Sequence, residues 1–387
     1  MTSEPSLKFP PASLPESTDK LRSEVRKFLL KSQTELGWTP RSNFMSTFSA
    51  EFSKSIGEMG WLGLTWPKKY GGQEKSALER FVVTEELLAA GAPVAAHWVA
   101  ERQSGPLLIK YGTEEQREQI LPKIAKGECY FSIGMSEPDS GSDLASIRTR
   151  AKKSPNNWTI NGTKVWTSNA HINHWMILLA RTEQPSENRH AGMSQFLIDL
   201  KNDDIIINPI PNMLGHHEFN EVVFNETAIP LDRIIGKEGN GWQQVTAELA
   251  YERSGPERFL STYNVLLELI NSAKNKNDGE IDRTIGKLTA QLVSLRTMSI
   301  SIAGMLERGE NPDVAAAVVK DTGNEFERQV IELTRKALPL EPTLNGNNIE
   351  KYESMMAELI MQLPSFSFRG GTPEIMRGII ARGLGVR

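Results

Sequence analysis

The segment Ser136-Glu137-Pro138-Asp139-Ser140-Gly141-Ser142-Asp143-Leu144 is built largely of small and hydroxylic residues. Such a loop leaves backbone N–H groups free to approach the phosphate or ring of a ligand. Composition alone favours an ordinary Ser/Gly surface loop. A second segment, Lys164-Val165-Trp166-Thr167-Ser168-Asn169-Ala170, sets an indole beside hydroxyls at the end of a β-rich run, where a core tryptophan is the usual explanation. Other signals are more generic. Gly236, Gly239 and Gly241 run GxxGxG, the wrong order for a dinucleotide fingerprint, and read as a β-to-helix connection. His171, His174 and His190 lie in a polar β region without a matching carboxylate pattern, so no metal site is expected. Arg148, Arg150, Lys152 and Lys153 read as a solvated strand face, and the single cysteine, Cys129, excludes a disulfide framework and any CxxC motif.

The elements that must position these residues follow from periodicity. Leu21, Val25, Phe28 and Leu29, and again Phe48, Phe52, Ile56 and Met59, keep helical spacing. A turn at residues 66–72 interrupts, and residues 78–90 return to helix. Thr113 with Gln116 makes a capping box ahead of Ile120, Leu121 and Ile124, and Gly127 stands at the C-terminal cap. From about residue 128 the period changes to short β-rich runs, and Asn161-Gly162 predicts a hairpin turn. Helical spacing resumes at Gly241. The expected architecture is mainly α with a central antiparallel β domain, divided as residues 1–127 (helical), 128–236 (β) and 237–387 (helical). A chain of 387 residues, at about 150 per domain, agrees with two or three domains. With 39% apolar and 24% charged residues it has the composition of a globular protein. No apolar run approaches the ~18 residues of a membrane span, no secretory leader is visible, and a net charge of −4 is no attractant for nucleic acid. A cytoplasmic protein is expected.

The two chemically suggestive segments belong to a longer ordered series. It runs from Tyr111-Gly112-Thr113-Glu114-Glu115-Gln116 with Leu121-Pro122, through the Ser136 loop and Asn161-Gly162-Thr163-Lys164-Val165-Trp166-Thr167-Ser168-Asn169. It continues with Asn220-Glu221-Val222-Val223-Phe224, Gly239-Asn240-Gly241-Trp242 and Arg369-Gly370-Gly371-Thr372-Pro373-Glu374-Ile375. In that order the chain resembles the acyl-CoA dehydrogenase family over nearly its whole length. The resemblance implies a helical domain, a β domain and a C-terminal four-helix bundle. It implies a bound FAD that takes a hydride from the β-carbon of an acyl-CoA thioester while a carboxylate removes an α-proton, giving a trans-2-enoyl-CoA. Electrons leave to an electron-transferring flavoprotein. Carried over position by position, it implies that Met135, Ser136, Gly141, Ser142, Trp166, Ser168, Thr372 and Glu374 contact the FAD, with Trp166 stacking at the isoalloxazine. Ser142 also reaches the CoA arm, and Tyr251, Arg253 and Gly371 are implied substrate contacts.

Two departures from the family pattern carry information. Most members place a glutamate just before the Gly-Thr of the C-terminal motif, where this chain has Gly370. A minority branch puts it on an earlier helix before an arginine, which here is Glu252 with Arg253. Val245, Leu249 and Phe259 lie at −7, −3 and +7 from Glu252, so the carboxylate is expected on an apolar helical stripe where burial raises its basicity. Pro256 lacks the N–H that would bond the Glu252 carbonyl and is expected to distort that helix. Gly370 is left to offer its backbone N–H to the thioester oxygen. The second departure concerns the elements that hold the ADP half of the FAD across a subunit boundary. Counted from Gly286, the usual arginine is Asp282 and the usual glutamine is Val293, and the later Gly-Gly-x-Gly segment is missing between Leu338 and Met361. An aspartate repels a pyrophosphate.

The resemblance therefore points to the catalytic subunit of a heteromeric enzyme of the steroid-CoA type, paired with a second acyl-CoA dehydrogenase-like subunit as α2β2. The alternatives are a homotetramer acting on short or branched acyl-CoA, and a non-catalytic binding subunit of the same fold. Glu252→Gln keeps size and polarity but removes the basicity. It is expected to retain flavin and to lower turnover about 100-fold or more, the general-base contribution being roughly 10² to 10⁴. Unchanged flavin reduction by substrate in rapid mixing would assign the base elsewhere.

Overall fold

The computed structural model describes residues 7–184, 186–253, 255–274, 278–338, 340–344 and 351–386, without the side chains of 248–252 and 351. In chain order its helices are α1 (Ser17–Leu36), α2 (Ala50–Glu58), α3 (Ala77–Ala89), α4 (Ala95–Val99), α5 (Gly105–Tyr111), α6 (Glu114–Ala125), α7 (Gly241–Glu252), α8 (Tyr263–Ala273), α9 (Gly279–Glu307), α10 (Asp313–Ala337), α11 (Lys351–Phe368) and α12 (Pro373–Gly383). Between α6 and α7 run β1 (Phe131–Gly134), β2 (Arg150–Lys153), β3 (Asn157–Lys164), β4 (Trp175–Arg181), β5 (Met193–Asp199), β6 (Ile205–Pro211), β7 (His217–Pro230) and β8 (Ile234–Ile235). They gather into two compact units: Phe48–Glu74 with Ala95–Tyr251, and the rest of the chain, which takes in α1, α3 and everything from Glu252 onward. No helix among the described residues is long and apolar enough to cross a membrane.

In the first unit the strands are ordered β6-β7-β3-β2-β4-β5-β8, with β1 beside β4. Pairing is antiparallel except for β1 on β4 and a single β2–β4 bridge, which are parallel. Side chains alternate across a strand, and β4 shows why its sequence is an uninterrupted apolar run. Met176, Leu178 and Ala180 enter a core with Trp158, Phe196 and Val222 on one face. Ile177 enters another with Leu107, Leu108, Ile120, Leu121 and Ile124 from α5 and α6 on the other. The capping box of α6 forms in both directions, Thr113 N–H to Gln116 Oε1 at 3.1 Å and Gln116 N–H to Thr113 Oγ1 at 3.2 Å. The same Gln116 amide donates to the carbonyls of Asp232 (2.7 Å) and Ile234 (3.1 Å), tying the helix to the sheet edge.

Two expectations change. Asn161-Gly162 makes no hairpin turn: both residues lie inside β3, at an irregularity in its pairing with β7 between Ile160 and Gly162. The β2–β3 connection falls at residues 154–156 instead. A cross-sheet ladder on both sides of the dipeptide outweighs its local turn preference, and Gly162, at φ +147°, absorbs the irregularity. The helix expected to run past Glu252 ends there. Pro256 starts a separate 3₁₀ turn, Pro256–Arg258, with fully buried Phe259 after it, so Phe259 lies beyond the end of α7. Leu249 of the proposed stripe falls outside the described side chains.

In the helical unit, α10 is the central element, packing on α8, α9, α11 and α12. Its buried stripe, Ala316, Val319, Lys320, Gly323, Glu327 and Val330, follows the 3.6-residue period but includes two charges. Gly323 lets α10 meet the chain at Arg258, whose carbonyl oxygen lies 2.3 Å from where a Cβ would stand. Alanine in a helix interior normally stabilises relative to glycine by about 1 kcal/mol. Here Gly323→Ala is expected to destabilise by about 1–3 kcal/mol through overpacking, measured by urea unfolding; a gain in stability would contradict this close approach.

Candidate functional site

In the β unit, β1 and β3 feed the loops at 135–147 and 165–170 side by side. The Val165 N–H donates to Ser136 O at 2.9 Å, and Ser132 Oγ donates to Ser168 O at 2.7 Å. Trp166, between these anchors, adopts φ +58° and is 60% exposed, its ring edge-on to Phe219 at 6.0 Å. A left-handed backbone at a bulky residue costs of order 1–3 kcal/mol and persists only where its surroundings fix it. They do: Thr167 and Asn220 exchange backbone hydrogen bonds at 3.0 and 3.1 Å, and Asn220 Nδ2 adds a third to Thr167 O at 2.9 Å. The indole is held outward, not buried as a core residue.

The Ser136 loop is pinned by a buried ion pair. Lys164, with no exposed surface, donates from Nζ to Glu137 Oε1 at 2.8 Å and to Met135 O at 2.9 Å. Glu137, itself buried, also accepts from the N–H groups of Arg148 (2.6 Å) and Thr149 (2.9 Å). Burial works to raise the Glu137 carboxyl, but the Lys164 charge and these hydrogen bonds outweigh it and hold it below its ordinary 4.5. Burial brings the Lys164 ammonium down to about 8 against the pull of Glu137. Further along, the N–H groups of Gly141 and Ser142 meet no acceptor among the described residues, and a Cβ on Gly141 would meet nothing within 4 Å. Met135, Ser136 and Ser168 are half-buried, and Gly141 and Ser142 are exposed.

The helical unit holds the other expected residues. The backbone of Glu252 ends α7, and its side chain, like that of Tyr251, lies outside the described residues. Arg253 Nε donates to Gly370 O at 3.1 Å. Gly370 (φ +72°) and Gly371 (φ +104°) link α11 to α12 in conformations that only glycine adopts freely. Thr372 caps α12 through its Oγ, and the exposed Glu374 occupies the first turn. The backbone hydrogen bond at its own position, aided by Thr372 Oγ, holds the Glu374 carboxyl below its ordinary range. Behind Gly370, Arg369 contacts the fully buried Glu327. Burial pushes this carboxyl up and this guanidinium down, each opposed by the other's charge. On α9, Asp282 and Val293 are both exposed. Asn345-Gly346-Asn347 lies outside the described residues.

An outward indole, a glycine with open space and loop N–H groups without acceptors together suit a flat, oxygen-rich ligand. The chain matches the family models for the acyl-CoA dehydrogenase N-terminal domain over residues 15–128, the middle domain over 132–227 and the C-terminal domain over 239–385. It belongs to the acyl-CoA dehydrogenase family, the FAD-dependent oxidoreductases that act on the CH–CH group of acyl-CoA thioesters. Among its relatives is the acyl-CoA dehydrogenase FadE29 of Mycobacterium tuberculosis (strain ATCC 25618 / H37Rv), 31% identical over 94% of this chain and 95% of that one. Solved structures of the same fold include the Tcur3481-Tcur3483 steroid ACAD, with a TM-score of 0.85 at 26% identity over 98% of this chain and 100% of that one. Another is the ChsE4-ChsE5 complex from Mycobacterium tuberculosis, with a TM-score of 0.83 at 26% identity over 97% and 99%.

Sequence reasoning singled out Trp166 and the Ser136 loop but missed what holds them. Lys164 and Glu137 stood within the quoted motifs as landmarks, and nothing local marks two residues 27 positions apart as an ion pair. Lys320 and Glu327 had a legible signal, charges on the inner and otherwise largely apolar stripe of an amphipathic helix. For the loop, Glu137→Gln is expected to lower stability by about 3–5 kcal/mol near neutral pH, because it leaves Lys164 buried without its counter-charge. The wild-type carboxyl is depressed when folded, so its contribution is complete above 4.5 and is lost as pH falls further. Urea unfolding from pH 7 to 3 should therefore show a steeper acid loss in wild type than in the variant; a variant within about 1 kcal/mol of wild type would contradict the role given to the pair.

Proposed function

We propose that this chain is the catalytic subunit of a heteromeric, steroid-CoA-type acyl-CoA dehydrogenase that forms a trans-2-enoyl-CoA and passes electrons to an electron-transferring flavoprotein. The observation that carries the reading is Trp166, held 60% exposed at positive φ by anchors on both sides. FAD, when bound, supplies the acceptor for the hydride equivalent leaving the substrate's β-carbon. Met135, Ser136, Gly141, Ser142, Trp166, Ser168, Thr372 and Glu374 would hold it. Ser142 also meets the CoA arm, and Tyr251, Arg253 and Gly371 belong to the substrate side. Glu252 takes the α-proton. The Gly370 N–H, which meets no acceptor among the described residues, receives the thioester oxygen as negative charge develops there. A backbone donor fixed in advance suffices for that task.

The heteromeric assignment is supported by α9, where an exposed aspartate and an exposed valine stand at positions that relatives use to hold the ADP half of FAD. It is supported also by likeness to a steroid ACAD and to a two-chain complex. A second, related subunit would supply the missing contacts in an α2β2 assembly working in the cytoplasm. Purified alone, the chain is expected to retain little FAD; co-purified with the acyl-CoA dehydrogenase-like chain encoded nearest to it, it should show a flavin band bleached by steroid-CoA thioesters. A homotetramer carrying one tightly bound FAD per chain would overturn the heteromeric assignment and favour a short- or branched-chain enzyme. Peroxide production without turnover by artificial one-electron acceptors would make it an oxidase.

A further inference from the structure

The ion pair behind Gly370, between fully buried Glu327 and half-buried Arg369, has no part in the chemistry above. Arg369 Nη2 donates to Ser261 Oγ at 2.6 Å, to both carboxylate oxygens of Glu327 at 3.2 Å and to Glu257 O at 3.2 Å. Its guanidinium lies 4.5 Å from the Phe366 ring centre and 5.0 Å from that of Phe44. Glu327 Oε1 also accepts from the Ser261 N–H at 3.2 Å, and the Gly323 contact one turn earlier brings α10 against this same stretch of chain. One residue beyond Arg369, the peptide between Gly370 and Gly371 is held at both ends. Arg253 Nε donates to Gly370 O at 3.1 Å, and the Gly371 N–H donates to Phe368 O at 3.2 Å. What remains is the N–H of Gly370, without an acceptor among the described residues.

That N–H points where the Arg369 backbone and the Gly370 φ direct it. Glycine supplies no preference of its own at φ +72°, so the direction must be imposed from outside. Arg253 imposes it on the far side of Gly370; on the near side the Arg369 N–H donates to Ser365 O at 3.1 Å at the end of α11, and the anchored Arg369 side chain adds the constraint beyond that helix. Stability alone explains the anchor poorly. Apolar replacements of a buried ion pair often hold a fold as well or better, and this pair bonds through one nitrogen, leaving Arg369 Nε and Nη1 without acceptors among the described residues. What a charged, hydrogen-bonded anchor adds is a single fixed geometry.

We propose that Glu327 and Arg369 are positioning residues that aim the Gly370 N–H at the thioester oxygen, so that the ion pair governs how well the α-carbanion's charge is held on that oxygen. The inference rests on the functional reading given above. In the step concerned, the α C–H bond breaks, its proton passes to the Glu252 carboxylate, and the electron pair is delocalised onto the thioester oxygen. A misdirected donor weakens that stabilisation; misplacement by about 1 Å costs up to ~10²-fold.

The test uses the holoenzyme with its partner subunit and acetyl-CoA as probe, because acetyl-CoA has α-protons but no β-carbon to oxidise. Exchange of its methyl protons in D₂O, followed by NMR, and the carbonyl stretch of its bound ¹³C-carbonyl form report on the donor without redox chemistry. The steroid-CoA thioester that bleaches the flavin fastest gives kcat and KM alongside. Glu327→Gln is expected to slow exchange and kcat about 10- to 100-fold, leave KM within about 3-fold, and move the carbonyl stretch toward that of free acetyl-CoA. Glu327→Asp, which keeps the charge with a shorter reach, should recover part of the loss. The double variant Glu327→Leu with Arg369→Met removes both members of the pair together and so does not leave one without the other; it should fold even if Glu327→Gln does not, and should still show the loss. Wild-type exchange, turnover or carbonyl stretch in the double variant would overturn the positioning role and leave the functional reading standing. A wild-type enzyme that neither exchanges acetyl-CoA protons nor is bleached by any thioester overturns that reading and this inference with it.

Discussion

Charge carried out of water and made to stay there is the constraint on which the rest of this molecule depends. Isolated, a buried carboxylate or ammonium loses several kcal/mol of hydration. The chain accepts that cost at several places, Glu85, Glu86 and Arg102 among them, and in each compact unit one such pair stands directly beside the backbone proposed for chemistry. Lys164 and Glu137 join the end of β3 to the start of the Ser136 loop. Glu327 and Arg369 join α10 to the residue before Gly370. Loops rich in serine and glycine have little side-chain surface of their own with which to define a shape, and glycine adds conformational freedom that must be removed. A hydrogen-bonded ion pair removes it, because it permits fewer geometries than apolar packing tolerates.

The same principle accounts for Trp166. Its backbone strain is sustained by the Thr167–Asn220 bridge on one side and by the Val165–Ser136 bond on the other. Strand pairing between β3 and β7 fixes the first anchor and the buried Lys164 fixes the second. The indole is therefore presented by long-range structure, so the proposed flavin contact would need no rearrangement of Trp166. Pre-organisation of this kind moves the cost of ordering from binding to folding.

Much of the fold was legible because local signals and tertiary demands agreed. The Thr113–Gln116 box, the apolar run of β4 and the return of helical spacing at Gly241 all stand where the sequence places them. Disagreement appeared where a long-range demand overrode a local one. Asn161-Gly162 favours a turn, but strands on both flanks hold it extended; the stripe drawn through Glu252 assumed a helix that Pro256 does not allow to continue. The candidate site was legible as motifs and hidden as mechanics. Trp166 and Gly370 are visible in sequence, whereas Glu137 with Lys164 and Glu327 with Arg369 lie 27 and 42 residues apart and become pairs only in the folded chain. Charges on the inner face of α10 were the one written clue.

In the proposed reaction two C–H bonds of one thioester break: this chain's Glu252 carboxylate takes the α-proton and its Gly370 N–H holds the charge left behind, while FAD would accept the hydride equivalent from the β-carbon. Isotope effects on anaerobic flavin bleaching test it most directly, with the reactive thioester deuterated at the α-carbon, at the β-carbon or at both. Substitution at each position should slow the fast phase, and substitution at both should slow it further, the behaviour of a removal in which both C–H bonds change together or in closely coupled steps. Bleaching insensitive to deuterium at the α-carbon, under conditions where the β-carbon effect is fully expressed, would contradict the assignment of a base to this chain.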